Sequence, residues 1–237
     1  MADIPDRADK EAKLATLVRR AIGRNRTALL AALGSPPDVA NIPDAVWAKI
    51  EADIADDTKR LLIAFFLLAQ SEMGSVTDRL IDPDAAGLAA ADYASRRASE
   101  LGRDLTGTLR DRVTTAAEEA RTGLERGESS SKTTAELGTR IQEIATKQAE
   151  STGVTETTAA NSAGEIEFKR QHKKETGIVL LGAWSAALDS KTCKVCRGLD
   201  GTDEEIWGEK YPEGPPAHVQ CRCFIVWTPA TPGPDDP

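Results

Sequence analysis

The sequence predicts a mainly α protein: a long helical N-terminal region, a small α+β C-terminal module stapled at its cysteines, and a disordered Pro-rich tail. Three observations carry this. Aromatic residues make up only 4% of the 237-residue chain. The core must therefore be mostly Ala, Leu, Ile and Val, which favours helices packed through small residues over an aromatic-rich β-sandwich. Apolar residues recur at helical spacing through the first two-thirds of the chain. Five of the ten aromatics (Trp184, Trp207, Tyr211, Phe224, Trp227) and all four cysteines lie after residue 180, so the C-terminal fifth has a composition of its own.

Leu14, Leu17, Val18, Ala21 and Ile22, then Leu29, Leu30 and Leu33, follow helical spacing until Gly34-Ser35-Pro36-Pro37. A second helix is expected from Pro43-Asp44 through Val46, Trp47, Ile50 and Ile54 to Leu61–Leu68, ending near Gly74. Asp82-Pro83-Asp84 opens an Ala-rich stretch to about Gly127, with interruptions at Gly87, Gly102 and Gly107. Its Ala86, Ala89, Ala90, Ala91, Ala94 and Ala98 suit either an assembly interface or one side of an internal antiparallel bundle. Ser129-Ser130-Ser131-Lys132 is a linker or N-cap cluster before an amphipathic helix with Leu137, Ile141, Ile144 and Ala145 on one face.

From Thr155-Glu156 a helix starts or continues to Lys174. Its end, rich in Lys169, Arg170, Lys173 and Lys174, suits a helix C-terminus, and Gly177 closes it. Ile178–Trp184 reads as a strand and Phe224–Trp227 as its partner. Trp184, Trp207, Phe224 and Trp227 are the expected core of the module. Thr228–Pro237 is expected to be the disordered tail. The resulting divisions are 1–134 for a helical scaffold or interface region, 135–227 for the module and 228–237 for the tail.

The net charge is −8, which argues against nucleic-acid binding through overall charge. Residues 1–160 carry 21 Lys+Arg against 26 Asp+Glu, and residues 161–237 carry 9 against 12, so neither part hides a basic domain. The longest apolar run, Leu61–Ala69, is about half of what a bilayer crossing needs. The N-terminus is acidic and polar, unlike a secretory signal. The chain is expected to stay off membranes and to be made in the cytoplasm.

All four cysteines fall within 31 residues, as Cys193-x-x-Cys196 and Cys221-x-Cys223, with His218 three residues before Cys221. Two thiolates on a tight turn can chelate one face of Zn²⁺ while a second short loop closes the other. A small domain gains folding free energy from such an ion. Cys193, Cys196 and Cys221 are the expected ligands, with His218 or Cys223 in the fourth place. A disulfide pair or plain buried thiols are the alternatives.

No catalytic residue is expected. Neither His172 nor His218 begins the His-x-Glu of a zinc deaminase, and no phosphate loop, nucleophile elbow or metalloprotease motif occurs. Asp189 and Asp200, flanking the first Cys pair, read as turn and capping residues.

Trp184 with Leu188-Asp189-Ser190-Lys191-Thr192-Cys193-x-x-Cys196-Arg197-Gly198-Leu199-Asp200-Gly201, followed by Pro215-Pro216-Ala217-His218-x-x-Cys221-Arg222-Cys223, resembles the phage Mu F-like head morphogenesis family of minor capsid proteins. Thr155-Glu156 and Asn161 resemble that family's preceding helix, although Gly153-Val154 stands where an Arg usually precedes the Thr-Glu. The resemblance covers roughly residues 135–227. It implies a non-enzymatic virion component, present in few copies in the phage head after assembly in the host cytoplasm. The implied partners are the portal protein and/or the major capsid protein at the portal vertex, and packaged phage DNA. The implied roles are head assembly and DNA ejection. The alternatives are a zinc-stabilised nuclease and a nucleic-acid-binding zinc module. Lys191–Trp227 holds five Lys+Arg against six Asp+Glu, whereas a DNA-gripping module is normally basic.

Overall fold

Four long helices, each laid down by its own periodicity, make up most of the computed structural model, which describes residues 4–79 and 82–230. Helix α1 is Arg7–Leu33 and is ended by Gly34 in the left-handed region (φ +75°). A short 3-10 turn, Val39–Asn41, is capped by the Asp38 side chain and leads into α2 (Asp44–Thr77). Asp82, whose carboxylate accepts from the Asp84 backbone N–H, opens α3 (Pro83–Glu125). Helix α4 (Ser130–Thr176) runs unbroken for 47 residues. The predicted helix from Thr155 thus continues the one capped at Ser129. Gly177, at φ +74°, donates its N–H to the Lys173 carbonyl and closes α4.

The chain forms two compact units, each assembled from separated segments. One comprises Met1–Glu11, Leu62–Tyr93 and Gly153–Pro237; the other comprises Ala12–Leu61 and Ala94–Thr152. The second is a helical bundle. Val18, Ile22, Leu29 and Leu33 of α1 meet Trp47, Ile50 and Ile54 of α2, Leu101, Leu109 and Val113 of α3, and Leu137, Ile141 and Ala145 of α4. Gly102 is no interruption of α3, because a Cβ there would stand 2.6 Å from the Glu51 carbonyl oxygen. The glycine lets α3 press against the backbone of α2. Ala86, Ala90, Ala94 and Ala98 are all buried within the chain. Ala89 is half-buried and Ala91 exposed, so four of the six alanines pack internally, as the bundle alternative expects.

The first unit adds the C-terminal module to helical segments. Strands β1 (Leu180–Ser185) and β2 (Phe224–Pro229) pair antiparallel, with Trp184 opposite Ile225 and Gly182 opposite Trp227. Between them lie α5 (Lys194–Leu199) and the single turn α6 (Glu204–Trp207). The module's core contains Trp184, Trp207, Ile225 and Trp227, with Cys196, Cys221 and Cys223, and it recruits Met73 of α2 and Phe168 of α4. Gly182 makes room for this packing, since a Cβ would stand 2.7 Å from the Trp227 ring.

Two expectations are corrected here. Phe224 is only half-buried and Ile225 takes its place in the core, because a strand alternates sides and residues 224 and 227 cannot share a face. Thr228 and Pro229 are paired with Leu181 and Leu180, so the strand runs past residue 227. A proline is tolerated at a strand's last rung. The remainder of the predicted tail, residues 231–237, lies outside the described residues. Among the described residues no helix is long and apolar enough to cross a membrane.

Trp227→Ala is expected to cost about 3–5 kcal/mol in chemical denaturation, the scale for deleting a buried aromatic. Trp227 is 8% exposed and also donates its indole N–H to Glu165 Oε2 at 3.1 Å. A loss under about 1 kcal/mol would show that the strand is peripheral.

Candidate metal centre

The first donor pair sits where a loop turns into α5. Cys193 is the N-cap of that helix, and its Sγ accepts from the Cys196 backbone N–H at 3.4 Å. The turn is fixed by Asp189. Its Oδ1 accepts from the Lys191 backbone N–H at 2.9 Å and from the Thr192 hydroxyl at 3.3 Å, and Thr192 Oγ1 accepts from the Asp189 N–H at 3.0 Å. Asp200 accepts from the Ala186 N–H at 2.8 Å. Both carboxylates are turn-builders, as their positions in the sequence suggest.

The second donor group arrives on the loop into β2, after a cis Pro215–Pro216 bond. His218 Nδ1 lies 2.7 Å from the Val219 carbonyl oxygen. A carbonyl only accepts, so Nδ1 carries the proton and the Nε2 lone pair is left free. That Nε2 faces two sulfurs, Cys196 Sγ at 2.9 Å and Cys193 Sγ at 3.1 Å. Cys196 Sγ lies 3.7 Å from Cys221 Sγ. The predicted donors fall into two triads, Cys193–Cys196–His218 and Cys196–Cys221–Cys223, each with its ligand atoms within 4.8 Å of one another. Cys196 belongs to both. All four cysteines are free thiols.

This donor set fits a closed, thiolate-rich ion such as Zn²⁺. Sulfur and imidazole donors converge, and His218 is oriented by a hydrogen bond from its other ring nitrogen, as metal-binding histidines are. The Trp184 indole N–H is buried with no hydrogen-bond partner among the described residues. Cys221, hydrogen-bonded by the Cys223 thiol, is pushed down to about 5, and Cys223 is pushed far up by the same contact. Burial drives Cys196 up to about 12. Burial opposes charge on His218, yet its bond to the Val219 carbonyl and the Cys221 and Cys193 thiols hold its pKa above the ordinary value. The depression above the donors, lined by Lys191, Thr192, His218 and Gln220, encloses about 10 Å³, the space of a single ion or water.

Below the donors lies the polar face of α4, where Thr155 and Asn161, already singled out by the resemblance, are joined by Thr158 and Glu165, which sequence reading missed. The Thr158 hydroxyl donates to the Cys221 carbonyl at 2.9 Å, and Thr155 Oγ1 accepts from the Gln220 N–H at 2.8 Å. Glu165 is 4% exposed and accepts from Asn161 Nδ2 at 2.8 Å as well as from Trp227. For Thr158 and Glu165 the signal in the sequence is a run of polar residues within an otherwise apolar-faced helix.

Burial raises the Glu165 carboxyl from 4.5 to about 7 against the two hydrogen bonds that oppose the shift. The folded state therefore holds its proton more tightly than the unfolded chain does. Stability from this group is complete below pH 4.5, falls as the pH rises toward 7, and stays low above it. The loss corresponds to about 3 kcal/mol, at 1.36 kcal/mol per unit. In denaturation at pH 5, 6, 7 and 8, Glu165→Gln should flatten this slope relative to the parent chain; parallel slopes would show that Glu165 does not titrate on unfolding.

No curated protein and no solved structure matches the chain. A family model described as Phage Mu protein F like protein does match, over residues 114–226. The match begins inside α3, earlier than the resemblance near residue 135, and takes in all five candidate donors. Over residues 114–226 this chain is therefore similar to the Phage Mu protein F like family.

Proposed function

We propose that the chain is a non-enzymatic structural protein of a tailed-phage head, with its C-terminal module closed by one Zn²⁺. A Phage Mu protein F like domain marks a phage head morphogenesis protein. The observation that carries the metal reading is the convergence of five sulfur and imidazole donors on Cys196. Cys193, Cys196 and Cys221 hold the ion, with His218 or Cys223 in the fourth position. The ion supplies folding free energy and neutralises thiolate charge that burial otherwise penalises. Cys196, Cys221 and Cys223 are buried, which supports a structural ion over a nuclease centre.

The portal or inner head surface is the proposed place of action, with the portal protein or major capsid protein as partner and a role in DNA ejection. A second reading, contact with packaged DNA, draws on Lys191, Lys194 and Arg197. All three are exposed on the turn that carries Cys193 and Cys196. Metal analysis of the purified protein should return about one zinc per chain, and mass spectrometry of assembled virions should find the chain in the head. Cleavage of duplex DNA with added Mg²⁺ or Mn²⁺ would overturn the structural reading. Salt-dependent DNA retention without cleavage would favour the second.

A further inference from the structure

The donor strand of the metal centre is held from an unexpected direction. Cys221 and Cys223 lie on the loop into β2, and the backbone around them is constrained. Gln220 sits at φ +62°, a left-handed conformation that is unfavourable for an L-residue. Such strain persists only where the surroundings impose it. Here they do so through three hydrogen bonds to consecutive residues. Thr155 takes the Gln220 N–H and Thr158 gives its hydroxyl proton to the Cys221 carbonyl. The third comes from the first residue of α1, where Arg7 Nη2 donates to the Arg222 carbonyl at 3.2 Å, across 215 residues of sequence. The other arm of the same guanidinium, Nη1, donates to Thr158 Oγ1 at 3.0 Å.

The Arg7 fork thus orients the hydroxyl that grips Cys221 and grips the next carbonyl directly. Its side chain is only 10% exposed, with Glu11 Oε1 3.6 Å from Nη1. Arg222 passes the constraint on, since its own guanidinium donates to Asp189 Oδ1 at 2.6 Å. Asp189 fixes the turn that presents Cys193. One chain of hydrogen bonds therefore runs from α1 through α4 to both donor groups.

We propose that Arg7 is a positioning residue of the metal centre: it touches no ligand atom, but it sets the Cys221–Cys223 strand so that those thiols face the Cys193–Cys196 turn, and metal loading in return orders the start of α1. This rests on the zinc reading above. A planar fork with two donors in fixed geometry can make both contacts at once, which a lysine ammonium on its flexible stem cannot reproduce. Residues that orient ligands typically contribute 10–100-fold to metal affinity. Because the linkage is reciprocal, whatever Arg7 adds to metal affinity the metal returns as order at Arg7.

The test uses the full-length chain, Zn²⁺ in competition with a chromophoric chelator, and Co²⁺ absorption as a probe of site geometry. Arg7→Met and Arg7→Lys should each bind Zn²⁺ roughly 10–100-fold more weakly, with altered Co²⁺ ligand-field bands. Lys10→Met is the control. Lys10 lies one turn along α1, with its side chain 8% exposed and Glu72 3.8 Å away. Its loss should lower stability but leave metal affinity and the Co²⁺ spectrum unchanged. In the parent chain, which needs no variant to fold, adding Zn²⁺ to the chelator-stripped protein should slow amide exchange in residues 7–11 at least tenfold. A parent chain that takes up no metal removes the zinc reading and this one with it. A parent chain that binds Zn²⁺, with parental affinity in Arg7→Met and unchanged exchange in residues 7–11, overturns this proposal alone.

Discussion

Cys196→Ser abolishes metal binding and unfolds the module between β1 and β2, the largest single effect expected in this chain. Cys196 is common to both donor triads, so its loss breaks both, whereas loss of His218 or Cys223 leaves the other triad whole. Cys196 is 2% exposed and lies in the buried cluster that holds Trp184 and Trp207. Structural zinc sites contribute about 10 kcal/mol or more of folding free energy, comparable to the whole stability of an ordinary domain. The unfolding should reach Met73 and Phe168, which share that core, and spare the helical bundle built around Trp47. Three of the four tryptophans lie in the module, so near-UV circular dichroism should collapse while far-UV helicity largely persists. Metal content near one per chain with an unchanged near-UV spectrum would refute this.

Gly164→Ala should cost about 3 kcal/mol or more, although it adds one methyl group to a helix. A Cβ at Gly164 of α4 would stand 2.4 Å from the Phe66 carbonyl oxygen and 2.9 Å from Ala69 Cβ of α2. The obstacle is backbone, which cannot rotate away, so the two helices must separate. The comparison that isolates this effect is Gly87→Ala or Gly107→Ala, where nothing lies within 4 Å of the added carbon. Those changes should stabilise by roughly 0.5–1 kcal/mol through helix propensity. Equal denaturation midpoints for Gly164→Ala and Gly107→Ala would mean that the close approach carries no weight.

These glycines mark the boundary of what the sequence makes legible. Local punctuation is readable: Gly34 and Gly177 at helix ends, Asp38 and Asp82 as caps, and the Cys193-x-x-Cys196 turn all act within four residues of themselves. Gly102 and Gly107 look alike as letters in an Ala-rich helix, yet one sits against the Glu51 carbonyl and the other faces open space. Only the neighbouring helix distinguishes them. The candidate site divides the same way. Its five donors are evident from spacing, because metal chelation by a short turn is a local matter. Arg7, Thr158 and Glu165 are not, because the partners that place them lie between 62 and 215 residues away. The placement of Phe224 in the core was an error of period: counting aromatics near Cys223 ignores that a strand turns alternate residues away.

The scattered make-up of the unit that holds the metal centre bears on the order in which the chain folds during synthesis. The bundle needs nothing beyond residue 152, and all its segments lie between Ala12 and Thr152. It can close while the ribosome is still making the rest. Met1–Glu11 and Leu62–Tyr93 can meet each other early, as Lys10 and Glu72 do, but the rest of their unit begins at Gly153 and extends into β2. Arg7 emerges among the first residues and meets the Arg222 carbonyl only after β2 has left the exit tunnel. At about 5–20 residues per second, that wait is on the order of ten seconds or more. Completion of the candidate metal centre is therefore a late event in the life of the nascent chain, and a chain stalled before Cys221 would carry a finished bundle and an unfinished C-terminal module.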